Sequence, residues 1–368
     1  MRRIGDSNRK RKSYSLFVLT VRRRYDAKHS RAKGTMKTPQ FVQIYQEDAH
    51  AIRDELLQGL AADSTQGGAA TSPKFLYDAL GSRLFEAITE LPEYYPTRTE
   101  AAIFASHAQA MAARVSQGAT LIDLGAGNCN KAASLFERFA PGRYVAVDIS
   151  VEFLRGALAC LQRQYPALDM VGVGLDFSQS LALPPQAGLA SEGPRVFFYP
   201  GSSIGNFTPE AALAFLRQVR AACGPVAGSG LLIGVDLVKG AEELEAAYDD
   251  ALGVTAAFNR NLLLHINRLV GTDLRLADWG HRAIFNRTES RIEMHLVAQR
   301  DLVVHWPGGS RAFVAGAHIH TENSYKWTLA AFTELLRKAG FTEPVVWTDA
   351  SDAGNVAAGR FAVLWAGA

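Results

Sequence analysis

Leu121-Ile122-Asp123-Leu124-Gly125-Ala126-Gly127-Asn128 reads as a buried strand ending in a Gly-x-Gly turn, and Arg143–Asp148 as a second strand ending in an acid. Asp148 stands 23 residues after Gly125. Glycines at such a turn let the main chain pass close to a cofactor, and an acid at the next strand tip can accept from both hydroxyls of a ribose. A dinucleotide fingerprint needs a third glycine at position 130, where this chain has Asn130. The unit therefore suits S-adenosylmethionine (SAM), which has a ribose but no pyrophosphate, better than a nicotinamide dinucleotide. A Gly-x-Gly pair by itself also marks a plain structural turn; Asp148 tips the reading toward SAM. Asp176-Phe177 closes a third strand, where an acid can accept from the adenine amino group and a ring can cover the base. An ordinary strand-end turn has the same composition. Lys131, at the start of the helix after the turn, can meet the methionine carboxylate of SAM or stand as a solvated lysine.

Three further runs carry unusual polar content: Leu91-Pro92-Glu93-Tyr94-Tyr95-Pro96-Thr97-Arg98, Pro200-Gly201-Ser202-Ser203-Ile204-Gly205-Asn206-Phe207 and Ile319-His320-Thr321-Glu322-Asn323-Ser324-Tyr325-Lys326. The second is a strand end opening into a loop of small residues, whose amides and Asn206 can hold a small polar ligand. The other two offer phenols, a carboxylate and a hydroxyl. That inventory fits a zwitterion better than a nucleic acid or a protein, although each run taken singly also fits a loop with a satisfied polar network. Ser202 and Ser203 lack the Gly-x-Ser-x-Gly context of a hydrolase nucleophile. His318 and His320 lie on one face of a strand, but without a third clustered ligand no metal is expected; His265 and His295 read as packing or capping residues.

The elements that must position these groups alternate. Strands at Ala119–Leu124, Arg143–Asp148, Met170–Leu175, Arg195–Tyr199 and Gly230–Val235 are interleaved with helices at Lys131–Phe139, from Asp148 through Gln162, and at Pro209–Ala222. This rhythm predicts a doubly wound α/β sheet with right-handed crossovers. Residues 41–105 read as mainly helical, broken by a Gln66–Gly68 turn and by the two prolines Pro92 and Pro96. From Ala241 to about Ile266 the pattern turns helical again, then alternating segments at Arg291–Gln299 and Arg311–Ala315 suggest a β-rich region. A last helix (Trp327–Ala339) and the strands Val345–Trp347 and Phe361–Trp365 complete the sheet. The expected architecture is one α/β domain from 100–237 and 328–368, with a second lobe from 41–99 and the insertion 238–327.

Composition narrows the function classes. The chain has 368 residues, 48% of them hydrophobic and 20% charged, which suits one large or two ordinary globular domains. The longest apolar runs fall well short of the roughly 18–20 residues that span a bilayer. Three cysteines (Cys129, Cys160, Cys223) without a Cys-x-x-Cys pair supply neither a disulfide framework nor a zinc site and suit a reducing, cytoplasmic setting. The net charge of +3 hides a division: residues 1–35 carry twelve Lys/Arg against two Asp/Glu, and the other 333 carry 27 against 34. An acidic body does not favour phosphate backbones, so no nucleic-acid partner is expected for it. Residues 1–40 are expected to form a basic, disordered tail. Its first 35 residues read as an upstream extension ahead of Met36; a transit peptide or a nucleic-acid arm are the alternatives.

With these runs in this order the chain resembles the SAM-dependent histidine Nα-methyltransferases of the ergothioneine pathway, which trimethylate L-histidine to hercynine. The resemblance extends from about Lys74 to the C-terminus through LPEYYPTR, DLGAGNCNK, GSSIGN, AAYDDALGVTAAFNRN, RIEMHL and IHTENSYK. It implies a Rossmann-like methyltransferase domain with an inserted α+β substrate-binding lobe, acting as a monomer on a free amino acid. By that similarity SAM is held by Tyr77, Gly125, Lys131, Asp148, Asp176 and Phe177. Histidine is held by Tyr94, Gly201, Asn206, Tyr248, Met294, Glu322 and Ser324, with Tyr94 and Asn206 nearest the chemistry. Asn206 and Tyr248 are expected on the carboxylate, Glu322 and Ser324 on the imidazole, and Tyr94 or a water as a proton relay. Two readings compete within SAM chemistry: an N-methyltransferase of another amino acid such as tryptophan, and a noncatalytic SAM-binding module. A nicotinamide-dependent oxidoreductase is disfavoured by Asn130.

Overall fold

The computed structural model describes residues 36–44, 49–62, 68–178, 180–187, 193–350 and 359–368. The basic segment 1–35, and Gln66 and Gly67 of the expected turn, lie outside them. The strands in chain order are β1 (Gln40–Gln43), β2 (Ala69–Ala70), β3 (Thr120–Leu124), β4 (Arg143–Asp148), β5 (Asp169–Gly174), β6 (Arg195–Tyr199), β7 (Gly230–Asp236), β8 (Trp279–Asn286), β9 (Arg291–Ala298), β10 (Leu302–Trp306), β11 (Gly309–Phe313), β12 (His318–Tyr325), β13 (Val345–Thr348) and β14 (Phe361–Gly367).

The larger sheet has the order β1-β5-β4-β3-β6-β7-β14-β13, parallel from β1 to β7, with β14 antiparallel to both neighbours. Every residue of β3 and of β7 is buried. Both faces of a parallel sheet are covered, so its strands read as continuous apolar runs rather than alternating ones. Their side chains still alternate: Ile122, Phe197 and Tyr199 enter the core on one face, Leu121, Val196 and Phe198 that on the other. On the first face lies the helix Pro209–Cys223, started by Thr208, whose hydroxyl accepts from the Ala211 amide, with Pro209 in the first turn. It buries Ala212, Phe215, Leu216, Val219 and Cys223, one stripe at helical spacing. The strand order reverses between β3 and β6, and ligands bind such sheets at the carboxyl ends beside that reversal.

A second sheet, β2-β12-β9-β8, and the hairpin β10-β11 belong to a separate core. Helix Val254–Val270 lies across this core and buries Phe258, Leu262, Leu263 and Ile266. The excursion from the large sheet begins and ends at one point. Leu237, just past β7, bridges Trp327, just past β12, and the Val238 amide donates to the Trp327 carbonyl at 3.0 Å.

Four expectations need correction. Gln40–Gln43 is a strand of the large sheet rather than part of a helical lobe; the Phe41 ring lies over Gly172 of β5, where a side chain on the glycine would collide with it. The boundary placed at 99/100 falls inside one helix, Tyr95–Ala112, which gives Tyr95 to the second core and Ile103, Phe104 and Met111 to the first. The single helix expected at Lys131–Phe139 is two short ones, Asn130–Ala133 and Phe136–Phe139. There the Ser134 hydroxyl donates to the Lys131 carbonyl at 2.6 Å, a local bond that competes with helix propagation. The strand Trp279–Asn286 was not anticipated; its burial alternates too weakly to stand out.

Candidate active site

At the first strand tip, the amides of Gly125 and Ala126 both donate to the Val147 carbonyl, which draws the turn against β4. Gly125 and Gly127 have φ of +71° and +51°, a region that side chains rarely adopt. The turn delivers the Gly127 amide to one Asp148 carboxylate oxygen at 2.8 Å, and the Ser150 amide meets the other at 2.8 Å. Burial raises the Asp148 carboxyl from its ordinary value, and these amides work against the rise. The result is a carboxylate fixed at both oxygens with acceptor capacity left for a diol. Asp176 is buried at the next tip; its carboxylate accepts from the Ser178 amide at 3.1 Å and from the Ser178 hydroxyl, and Lys74 Nζ lies 3.8 Å away. The Phe177 ring packs edge-on against Tyr199 and reaches over Gly125.

Lys131 is not simply solvated. Its Nζ lies 2.7 Å from Glu100, whose other carboxylate oxygen accepts from the Gly201 amide at 2.7 Å. Glu100 is 1% exposed and joins the two loops, a role that its place in mid-helix does not advertise in the sequence.

Beyond this lies a pocket lined by Tyr77, Tyr94, Gly201, Asn206, Tyr248, Met294, Glu322 and Ser324, with Phe85 and Phe258 filling its apolar side. Tyr94 caps the helix Tyr95–Ala112 and packs edge-on against Phe85 and Tyr248. Tyr77 packs edge-on against Phe85 and Phe258. Burial holds both phenols far above their ordinary range, so they stay protonated. Asn206 ends a short turn, Ser203–Asn206, that lies directly on β12. Only glycine fits at 205, since a Cβ there would come within 2.9 Å of the Tyr325 carbonyl oxygen.

The orientation of β12 depends on one irregularity. His320 pairs with His295 and Glu322 with Met294, so Thr321 is a bulge, and its hydroxyl donates to the Met294 carbonyl. A regular strand would put Glu322 on the face of His320; the bulge turns Glu322 and Ser324 into the pocket beside Met294. The opposite face keeps His318 and His320, and His295 lies beside both, its ring centroid 5.4 and 5.1 Å from theirs. A third imidazole is therefore present after all, contrary to expectation. Among the described residues no group of His, Cys, Asp and Glu has the arrangement to hold a metal ion.

The polar groups of the pocket are cross-paired. Asn206 Nδ2 donates to Glu322 Oε1 at 3.0 Å, and the Tyr248 and Ser324 hydroxyls share a 2.8 Å bond. Burial pushes the Glu322 carboxyl up to about 7, against the opposing pull of the Lys326 charge and the Asn206 bond. Lys326 went unremarked in the sequence although it ends the same run. Its side chain is 0% exposed, and its ammonium donates to Tyr248 at 3.0 Å and Ser324 at 2.8 Å and pairs with Asp236 at 2.9 Å. Asp236, at the tip of β7, also accepts from Lys239 and from the Tyr95 hydroxyl.

Comparison with known proteins bears on the same residues. The family model described as "Histidine-specific methyltransferase, SAM-dependent" matches residues 52–360. The chain belongs to that family. It is 38% identical over 314 residues to the histidine N-alpha-methyltransferase of Mycolicibacterium smegmatis, covering 82% of this chain and 92% of that one. It is 30% identical over 288 residues to ergothioneine biosynthesis protein 1 of Neurospora crassa, 76% of this chain and 32% of that longer protein. Among solved structures, the CcbJ methyltransferase of Streptomyces caelestis aligns over 79% of this chain and 98% of its own at 15% identity, with a TM-score of 0.44.

The chain is thus a SAM-dependent methyltransferase. The methyltransferase's cofactor end fits its donor: a doubly braced acid, a glycine turn open to close approach and a ring over that turn are what a ribose and an adenine require. No helix among the described residues is long and apolar enough to cross a membrane.

Proposed function

We propose that this enzyme methylates the α-amine of L-histidine three times to give hercynine. The observation that carries the reading is the buried Glu322 carboxylate, turned into the pocket by the Thr321 bulge and 3.0 Å from Asn206. Carboxylate and amine contacts serve every amino acid alike. A buried acceptor at the side-chain end selects an imidazole N–H, which a phenyl ring lacks and an indole cannot present in the same geometry.

Bound SAM supplies a sulfonium methyl group for in-line displacement by an amine lone pair. Asp148 holds the ribose diol, Asp176 and Phe177 the adenine, and Lys131 the methionine carboxylate, with Tyr77 as a further SAM ligand. Asn206 and Tyr248 hold the substrate carboxylate, Glu322 and Ser324 the imidazole, and Met294 and Gly201 shape the walls. Fixing both reactants in near-attack geometry supplies roughly 7–11 kcal/mol of the barrier. The ammonium must lose its proton before each transfer. Tyr94, whose buried phenol keeps its own proton, serves as a relay and not as a resting base. The lobe built on the second core is the substrate lobe in this reading.

Purified enzyme incubated with SAM and each of the twenty amino acids, read by mass spectrometry, tests this. Histidine is expected to be consumed preferentially and to gain three methyl groups. Product confined to one or two methyl groups removes the trimethylation, and preferred turnover of tryptophan or another amino acid removes the substrate assignment.

A further inference from the structure

A fully buried ammonium directly behind two ligand-facing hydroxyls is a strong constraint on which way those hydroxyls point. An ammonium has three N–H donors and no acceptor. Those of Lys326 go to Asp236 at 2.9 Å, Tyr248 at 3.0 Å and Ser324 at 2.8 Å. Both hydroxyl oxygens therefore accept from Lys326, and neither can spend its proton there. Between them the two hydroxyls have two protons, and one is used in their mutual 2.8 Å bond. One hydroxyl proton remains, and the pocket is the side left open to it.

The charges point the same way. Asp236 is also met by Lys239 at 2.6 Å and by the Tyr95 hydroxyl, so it keeps a cationic partner when Lys326 is removed. The pocket's other charge, Glu322, takes its hydrogen bond from Asn206. The Tyr248–Ser324 side of the pocket is thus backed by a cation and offers one donor, which is what an anionic group seeks.

We propose that Lys326 is a positioning residue for the amino-acid substrate: it forces Tyr248 and Ser324 to accept from it, Ser324 donates to Tyr248, and the one remaining proton, that of Tyr248, turns toward the substrate's α-carboxylate while Ser324 keeps a lone pair for the ring. The inference rests on the amino-acid reading above and deepens it. It also assigns a task to the return point of the insertion, since Lys326 immediately precedes the Trp327 bridge to Leu237.

The test uses full-length enzyme and two probes, L-histidine and histamine, which has the ring and amine but no carboxylate. Calorimetry on the wild type comes first. Histidine is expected to bind at least tenfold more tightly than histamine; equal affinities overturn the proposal before any variant is made, and no histidine binding at all overturns the histidine reading instead. Lys326→Met, and the triple change Asp236→Asn/Lys239→Met/Lys326→Met, which leaves no unpaired charge at this point, should the single change fail to fold, are then compared by calorimetry and thermal melting. The expected result is a tenfold to hundredfold loss of histidine affinity, with histamine and SAM affinities within about twofold of wild type, the scale of one charge-assisted hydrogen bond. A parallel loss for all three ligands, or no loss for histidine, makes Lys326 a structural residue and overturns the proposal.

Discussion

At the cofactor end the functional acid hangs on the main chain: the Gly127 and Ser150 amides fix both oxygens of Asp148. At the substrate end the functional groups hang on one another. Asn206 holds Glu322, Tyr248 holds Ser324, and Lys326 ties the second pair to Asp236, with the four segments involved spread from residue 206 to residue 326. A group held by backbone amides is fixed once the strand and turn fold. A group held by other side chains depends on every member of its network, and such networks behave cooperatively. One end is rigid by construction; the other can be retuned by single substitutions.

The largest effect is expected where the main chain does the holding. Asp148→Ala removes the acceptor proposed for the ribose and leaves two amides without their partner, so SAM binding measured by calorimetry should weaken about tenfold to hundredfold, the equivalent of roughly 1.5–3 kcal/mol. The fold should persist, because the carboxyl lies at a strand tip, with a melting temperature lowered by the loss of the two amide bonds. Unchanged SAM affinity would place the ribose elsewhere and break the contrast.

A smaller and more selective effect is expected at the other end. Glu322→Ala should lower kcat/KM for histidine about tenfold, since one charge-assisted bond is lost, while SAM affinity stays near wild type. In competition assays the histidine-to-tryptophan ratio should fall, more so when Met294→Val widens the wall beside Glu322. A folded variant with an unaltered ratio takes Glu322 out of the specificity pocket.

The smallest effect is a pH dependence. In the empty site Glu322 titrates near 7, raised from its ordinary value by burial. Its ionised form accepts from a ring N–H in a charge-assisted bond stronger than the one a neutral carboxyl makes, so histidine binding improves as pH rises through that value. From about pH 6.5 to about pH 7.5 the ionised fraction grows about threefold, and kcat/KM should follow. Ionisation of the substrate itself is common to all variants, so the ratio of wild type to Glu322→Gln isolates the limb. A ratio flat across this range would mean that Glu322 does not titrate there.

The same contrast explains what could be read in the sequence. A strand, a glycine turn and an acid at the next tip are local and periodic, so Gly125, Asp148, Asp176 and Phe177 could be placed on them from spacing alone. The substrate side rested on a family resemblance, because its residues come from separated segments that only tertiary contacts unite. Resemblance brought Glu322 and Ser324 forward together with Asn206 and Tyr248, but not Lys326, the cation behind them. The bulge that aims them has no mark in a period-two pattern, and Lys326 and Glu100 have the appearance of ordinary charged residues until their burial is known. The edge strand Gln40–Gln43 was lost for a different reason: four residues are too few to display a period.

The meeting of Leu237 and Trp327 has a consequence for how such enzymes can diversify. A segment whose two ends adjoin can be exchanged, lengthened or shortened without moving a strand of the donor-binding sheet, much as a tool is changed on a fixed handle. Acceptor choice and methyl-donor binding can then drift at separate rates within one gene. Lys326 limits that freedom. A transplanted segment that stops short of it would carry the pocket's walls and leave behind the charge at their base.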